Sequence, residues 1–484
     1  MPKKIIFHML LSLFFAVLLA SAPGCSEKID PIDTPSDSLQ QNESDISFWL
    51  TQGDQKVMFQ KQNTILNFSE LTETGIAIEV NDAVGYQVMD GFGFTLTGGS
   101  AELINTLDEA VKQSLLQELF SIENSDLGIS YLRISIGASD LSSKEFTYNE
   151  LAAGETDPEL NAFSLVNDEQ DLIPLLKQII AINPEIKLMG SPWTAPTWMK
   201  TNKSFVGGEL LPEYYTVYAQ YFVKYIQAMQ AQGISIDAIT VQNEPLHGGN
   251  NPSMLMSAAQ QLDFVKNHLG PAFADNNLTT KIIIYDHNAD RPDYPITILN
   301  DQDARLYIDG SAFHLYGGSI DALSQVHAAH PDKNLYFTEQ WVGGPSYFEG
   351  DLKWHIENLI VGASRNWSKV VLEWNLASDP NYLPHTAGGC TSCLGAITIG
   401  NRVSRNVAYY IIAHASKFVR PGSVRIASNI PDLLPNVAYK TPDGQIVLIV
   451  LNKSNLSQTF TIWHKNKGAV VSLDKGSVGT FIWK

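Results

Sequence analysis

From residue 90 to about residue 376 the chain alternates short apolar runs with stretches whose apolar residues recur at helical spacing. The runs are Gly93–Thr97, Ile129–Gly137, Ile186–Trp193, Ile236–Pro245, Lys281–Asn288, Ile308–Tyr316, Asn334–Trp341 and Lys369–Leu376. Each is continuous rather than alternating, the pattern of strands covered on both faces. Between them, Leu172, Leu175, Leu176 and Ile179 mark one helical face, and Tyr214, Tyr218, Tyr221, Phe222 and Tyr225 another. Eight strand–helix units in series predict an α/β fold, a closed (β/α)8 TIM barrel over residues 89–418. An open doubly wound sheet is the alternative. It rarely supplies eight such units without a glycine-rich phosphate loop, and the sequence carries none.

The pattern changes after Ser423. Asn436–Lys440, Gln445–Leu451, Gln458–His464, Ala469–Asp474 and Ser477–Trp483 read as short strands, with Pro442-Asp443-Gly444 as a hairpin turn. Val57–Gln60 and Gly75–Val80 near the other end also read as strand. The economical assembly is a side β-sandwich built from residues 46–88 and 419–484, bracing the barrel and covering sheet edges.

Residues 1–24 have the layout of an export signal: Lys3 and Lys4, an apolar run from Met9 to Ala20, then Ser21-Ala22-Pro23-Gly24 before Cys25. Small residues ahead of Cys25 suggest a bacterial lipoprotein signal, so the expectation is an exported chain lipid-anchored to a membrane, at the cell surface or in the periplasm, as an outer-membrane lipoprotein of a Gram-negative bacterium. Residues 25–45, rich in Ser, Asp, Gln and Pro, read as a flexible tether. Cys390 and Cys393 form one Cys-x-x-Cys with no second pair, a weak metal signal and, in an exported chain, rather a local disulfide. Lys+Arg is 32 against Asp+Glu 51, a formal net charge of −19, which argues against nucleic acid and leaves neutral polymers open.

The polar residues that follow each apolar run change the picture most, because barrel chemistry lies at the C-terminal ends of the strands. Strand two leads from Arg133 to Asp140, and strand three ends in Ser191-Pro192-Trp193. Strand four ends in Asn243-Glu244-Pro245, strand five in Asp286-His287-Asn288 and strand six in His314-Leu315-Tyr316. Strand seven ends in Thr338-Glu339-Gln340-Trp341, and strand eight in Glu373-Trp374-Asn375. All are expected to point at one mouth. Strands four and seven lie across the ring from each other, so Glu244 and Glu339 can flank one bond. Such a pair suits glycosidic cleavage, in which one carboxyl protonates the leaving oxygen and the other attacks the anomeric carbon. Two carboxylates that close resist joint ionisation, so one keeps its proton. A zinc reading of His247, His287, His314 and His385 lacks a helical His-x-x-x-His pair, and no cofactor is implied.

The constellation resembles glycoside hydrolase family 30. The resemblance runs from about Tyr86 to the C-terminus, through Met89-Asp90-Gly91-Phe92-Gly93-Phe94, Gly190-Ser191-Pro192-Trp193-Thr194-Ala195-Pro196-Thr197-Trp198-Met199, Gln242-Asn243-Glu244-Pro245, Thr338-Glu339-Gln340 and Trp374-Asn375-Leu376. It implies Glu244 as acid/base and Glu339 as nucleophile. It also implies Asn243 on the sugar 2-hydroxyl, Arg133 beside Glu339, Asp140 accepting from sugar hydroxyls, Trp193 and Trp374 as pocket walls, Tyr316 on the nucleophile, and His314 orienting its neighbours. The sequence departs at Phe94-Thr95-Leu96-Thr97-Gly98-Gly99, a loop expected to border the sugar pocket.

The stretch from Asn243 to Met254 looks like the β-1,6-glucanase branch of that family, and no arginine cluster awaits a glucuronate carboxylate. The expectation is therefore a retaining endo-β-1,6-glucanase acting on a β-glucan polysaccharide. The alternatives are an exo-acting β-glucosidase or glucosylceramidase-like enzyme, and a surface glycan-binding protein without catalysis.

Overall fold

The computed structural model describes residues 43–70, 75–123 and 126–484. The signal segment, Cys25 and most of the expected tether lie outside the described residues. At the tether's far end, Ser44 and Asp45 are already part of the fold. The Ser44 hydroxyl and the Asp45 carboxylate accept from the Leu66 and Phe68 peptide N–H groups, so the fold includes residues ahead of the expected boundary at residue 46. No helix among the described residues is long and apolar enough to cross a membrane.

The eight barrel strands are β1 (Gly91–Thr95), β2 (Tyr131–Ser135), β3 (Lys187–Ser191), β4 (Ala238–Thr240), β5 (Lys281–Ala289), β6 (Ile308–Gly318), β7 (Asn334–Glu339) and β8 (Ser368–Asn375). They pair in chain order, all parallel, and close through β8 onto β1. Each lies beneath one of the apolar runs, and several are shorter because the run continues into the loop that carries the polar tip.

Register along the strands explains what fills the interior. Tyr131, Met189, Ala238, Ile283, Ala312, Tyr336, Val370 and Leu372 form one apolar cluster inside the barrel. Side chains two residues further along a strand face the same way. Two residues on from the members of that cluster stand Arg133, Ser191, Thr240, His314 and Thr338, every one of them buried. An apolar plug thus supports a polar layer, and the loops above that layer form the mouth.

Strands from the two ends of the described chain share a nine-stranded sheet. Its order is Gln60–Lys61, Ser47–Thr51, Val478–Trp483, Ile446–Leu451, Asn436–Lys440, Val424–Ser428, Ala77–Val88, Gln458–His464 and Lys467–Leu473. Two of these, Ser47–Thr51 and Val424–Ser428, were not legible as strands, and Val57–Gln60 contributes only the short piece that begins at Gln60. The interior strand Ile446–Leu451 is apolar at every position because both its faces are covered. Val447, Ile449 and Leu451 join the large core around the barrel, while Ile446, Leu448 and Val450 join a second core within the sheet domain.

Two glycines mark close backbone approaches in the barrel. A Cβ on Gly93 would stand 1.8 Å from the Tyr131 carbonyl oxygen, and one on Gly310 would stand 2.0 Å from that of Asn334. Neither oxygen is the flexible end of a side chain, so the strands themselves must part. Gly93→Ala and Gly310→Ala are each expected to cost about 1–3 kcal/mol or more, read as a lowered melting temperature in thermal unfolding.

Candidate active site

The polar layer converges on Asp286, which is fully buried. The register of β5 against β6 shifts between Tyr285 and His287, and Tyr285 and Asp286 both have positive φ, 73° and 66°. This irregularity turns the Asp286 carboxylate inward, where four side-chain contacts meet it. Oδ2 accepts from Arg133 Nη2 at 2.8 Å and from Thr240 Oγ1 at 2.7 Å. Oδ1 accepts from Thr338 Oγ1 at 2.7 Å and faces His314 Nε2 at 3.1 Å. Burial works against its charge, but Arg133, His314 and Thr338 outweigh burial and hold the carboxyl well below the usual range.

Arg133 distributes the rest of its fork. Nε donates to Ser191 Oγ at 3.0 Å, Nη1 reaches Glu339 Oε2 at 2.5 Å, and Nη2 also meets Asn243 Oδ1 at 2.6 Å. Its guanidinium lies 4.8 Å from the Trp193 ring centroid and 5.8 Å from that of Trp374, and the two indoles are 5.4 Å apart. These rings therefore stack on a buried cation while lining the mouth.

Glu339 ends β7 and Glu244 follows β4. Thr338 and Glu339 are neighbours in sequence yet both face inward, because the pairing of β7 with β6 shifts between Phe337 and Glu339. Glu244 takes φ +45°, in the left-handed region, and its N–H donates to the Asp286 carbonyl at 2.9 Å. A bulky side chain held there signals a backbone fixed by its surroundings. His314 stands between the two carboxylates, with Nδ1 3.3 Å from Glu244 Oε1 and 3.7 Å from Glu339 Oε1. One carboxylate oxygen each of Glu244 and Glu339 and one ring nitrogen of His314 lie within 4.8 Å of one another. Tyr316 Oη donates to Glu339 Oε1 at 3.0 Å, and Asn250 Nδ2 to Glu244 Oε2 at 3.2 Å.

The titration of this cluster follows from its contacts. Burial opposes the His314 charge, but Glu339 and the bonds to Asp286 and Glu244 prevail and raise the imidazole from 6.5 to about 10. Protonated on both nitrogens, His314 donates toward a carboxylate on each side. Burial pushes Glu244 up, yet the His314 bond and charge, aided by His287 and His247, bring it below its ordinary value. At Glu339 burial prevails. His314 and Arg133 pull it down, Glu244 and Asp286 push it up, and the carboxyl ends above its ordinary value. The two carboxyls are thus driven apart, with Glu339 the weaker acid of the pair. Asp140 is pushed up to about 7 by burial and by the Glu339 and Glu244 charges. Burial lowers His287 to about 4.

A cavity of about 400 Å³ opens above the cluster, lined among others by Asp140, Trp193, Glu244, Tyr316, Glu339 and Trp374. Of the residues singled out in the sequence, Arg133, Asn243 and His314 lie beneath this lining. His314, expected to orient its neighbours, is fully buried and has a carboxylate at each nitrogen. Residues 94–99 do not line the cavity either. Thr97 caps the helix Gly98–Asn105, and Ser100 bonds Asn375 Oδ1 at 2.9 Å. Glu373, expected at the mouth, is held at 2.7 Å by His355 on the helix that packs outside the barrel. The lining also includes Asn250, His287, Asn288 and Trp341, to which the sequence reading gave no role, and Asp286 below them was missed as the layer's centre. The strand-end position of Asp286 was visible, but the backbone irregularity that aims it was not.

The chain matches the model of the glycosyl hydrolase family 30 TIM-barrel domain over residues 89–419 and that of the family's beta sandwich domain over residues 422–481. It is 34% identical over 394 residues to an endo-1,6-beta-D-glucanase, neg1, of Aspergillus fumigatus, spanning 76% of this chain and 78% of the relative. It is 30% identical over 405 residues to a putative glucosylceramidase 1 of Caenorhabditis elegans, spanning 78% of this chain and 76% of the relative. The solved structure of the endo-beta1,6-glucanase BT3312 is similar with a TM-score of 0.84 at 36% identity, covering 91% of this chain and 99% of that one.

The pH dependence of stability carries a clear sign for His314. Its imidazole is more basic folded than unfolded, so its contribution is complete below about pH 6.5 and is lost as pH rises through about 10. Melting temperature measured across that window is expected to fall more steeply for the parent than for His314→Gln. Joined by a barrel of eight parallel strands, a buried carboxylate pair at the ends of β4 and β7 and matches along both domains, the chain belongs to glycosyl hydrolase family 30 and is a glycoside hydrolase.

Proposed function

We propose that the chain is a retaining endo-β-1,6-glucanase that opens β-1,6-linked glucan by double displacement. The observation that carries the mechanism is the approach of Glu244 and Glu339, with carboxylate oxygens inside 4.8 Å. Retaining glycosidases hold their carboxyls about 5 Å apart, and inverting ones leave about 6.5–9.5 Å for a water molecule. Glu339 attacks the anomeric carbon while Glu244 gives its proton to the departing glycosidic oxygen. The resulting ester removes one charge from the pair, so Glu244 then serves as base for the incoming water.

The chemistry needs the shared proton on Glu244. Arg133 Nη1 and Tyr316 Oη both donate to Glu339, and the anion matches them best. A glycosidic oxygen set against Glu244 displaces solvent from that side and raises its carboxyl, so substrate entry draws the proton across. Asp140, Trp193 and Trp374 are assigned the glycone pocket, Tyr316 and Arg133 the orientation of Glu339, and Asn243 the sugar 2-hydroxyl. His314 is assigned to hold the two glutamates apart rather than to touch sugar.

The linkage rests on the strand-four loop from Asn243 to Met254 and on the endo-1,6-β-D-glucanase relatives. Glucosylceramidase relatives at 30% identity keep an exo-acting reading as the second one. The Lys3–Cys25 segment supports export with a lipid at Cys25, a reading that loss of detergent-phase partitioning in Cys25→Ala checks.

Product profiling on pustulan tests the substrate. Short gentio-oligosaccharides support endo action, glucose alone supports the exo reading, and no release removes the linkage. Glu339→Gln is expected to abolish hydrolysis while glucan binding, read by affinity electrophoresis, survives. Glu244→Gln is expected to cost about 10²–10⁴-fold in kcat, least for aryl glycosides whose leaving group needs no proton.

A further inference from the structure

Residues 384–394 form a strap across the mouth, closed by a disulfide between Cys390 and Cys393. Both cysteines line the cavity. Cys393 starts the short strand Cys393–Leu394, antiparallel to Val342–Gly343, which follows β7 shortly after Glu339. Cys390 and Cys393 thus lie beside Asp140 in the wall of the cavity, and the Cys390 peptide N–H helps lower the Asp140 titration. The strap also holds Asp140 by its backbone, since Thr386 N–H donates to the Asp140 carbonyl at 2.9 Å. Gly389 passes so close that a Cβ there would stand 2.3 Å from that same oxygen.

The strap is tied to the opposite side of the mouth as well. Asn251 Nδ2 donates to the Ala387 carbonyl at 2.8 Å, and the Thr386 hydroxyl donates to the Asn251 carbonyl. The preceding residue, Asn250, is the one that donates to Glu244. One strap therefore spans from Asp140 to the loop that carries Glu244. The bridge itself closes a loop of sequence separation 3. A loop that short has little unfolded-state entropy to remove, so the bridge contributes little to global stability by that route.

We propose that the Cys390–Cys393 bridge positions Asp140 for sugar binding by holding the strap, from Thr386 to Cys390, against the Asp140 backbone on the glycone side of the pocket. This rests on reading the cavity as a glucan site. The charged and titratable groups that face Asp140 are Glu339, Glu244 and Tyr316. The two carboxylates push its titration up, and the Cys390 N–H acts against them.

The test compares the parent with Cys390→Ser/Cys393→Ser. KM for pustulan is expected to rise about tenfold, the size of one lost hydrogen bond between sugar and the Asp140 carboxylate, with kcat little changed. Asp140, followed by NMR on carboxyl-labelled aspartate without substrate, is expected to titrate higher in the variant than in the parent. Treating the folded parent with dithiothreitol should reproduce both changes. Two electrons and two protons pass to the bridge, giving two thiols, and the dithiol closes to its own cyclic disulfide. Asp140→Asn in the bridge-less background should add little to the KM change, because both act through one contact. A variant that melts lower but keeps its KM and its Asp140 titration would overturn the proposal, as would fully additive effects. Inactivity of the parent on pustulan strikes the substrate reading instead, and the substrate-free titration still decides the positioning claim.

Discussion

A guanidinium sealed inside a barrel must be matched by negative charge, and that requirement organises the site. Arg133 is fully buried, and so is His314 beside it, which folding holds protonated. Unpaired, either cation would cost several kcal/mol. Asp286 supplies one negative charge to both. The second must come from Glu244 and Glu339, which reach His314 and Arg133 respectively. Two cations against Asp286 and a doubly ionised pair would leave an excess of negative charge in a low-dielectric pocket. The buried set is neutral when the glutamates together hold a single proton. Charge balance in the layer therefore favours a single proton on the pair, and substrate contact then decides which glutamate carries it.

The layer depends in turn on where the strands are regular and where they are not. Regular period-two alternation raises Arg133, Ser191, Thr240, His314 and Thr338 directly above the apolar plug. The exceptions supply the acids. Asp286 enters through the shift in β5, Glu339 through the shift in β7, and Glu244 through a left-handed residue just past β4. A perfectly regular barrel would put Asp286 and Glu339 on the outer face, against helices.

This division also explains what could be read from the sequence. Continuous apolar runs are dictated by burial on both faces, and all eight barrel strands were visible that way. The glutamates were visible because each ends such a run. Asp286 was passed over because its partners come from β2, β4, β6 and β7, and pattern along one strand says nothing about contacts across the ring. The same limit misplaced Glu373, whose neighbour Trp374 faces the mouth while Glu373 itself turns to His355. His314 was seen as polar at a strand end, but its burial beneath the cavity lining depended on a layer that only the folded barrel assembles. Ser47–Thr51 and Val424–Ser428 gave weak signals because each also depends on a strand distant in sequence, Val478–Trp483 for the first and Ala77–Val88 for the second.

The most direct measurement is mass spectrometry of the protein after reaction with a 2-deoxy-2-fluoro-β-glucoside bearing an activated leaving group, followed by peptide mapping. Fluorine slows breakdown of a glycosyl ester more than its formation by the activated donor, so a covalent intermediate accumulates. The account expects one sugar per chain, on the peptide that carries Glu339. Attachment to Glu244, or turnover with inverted anomeric configuration and no adduct, would contradict it.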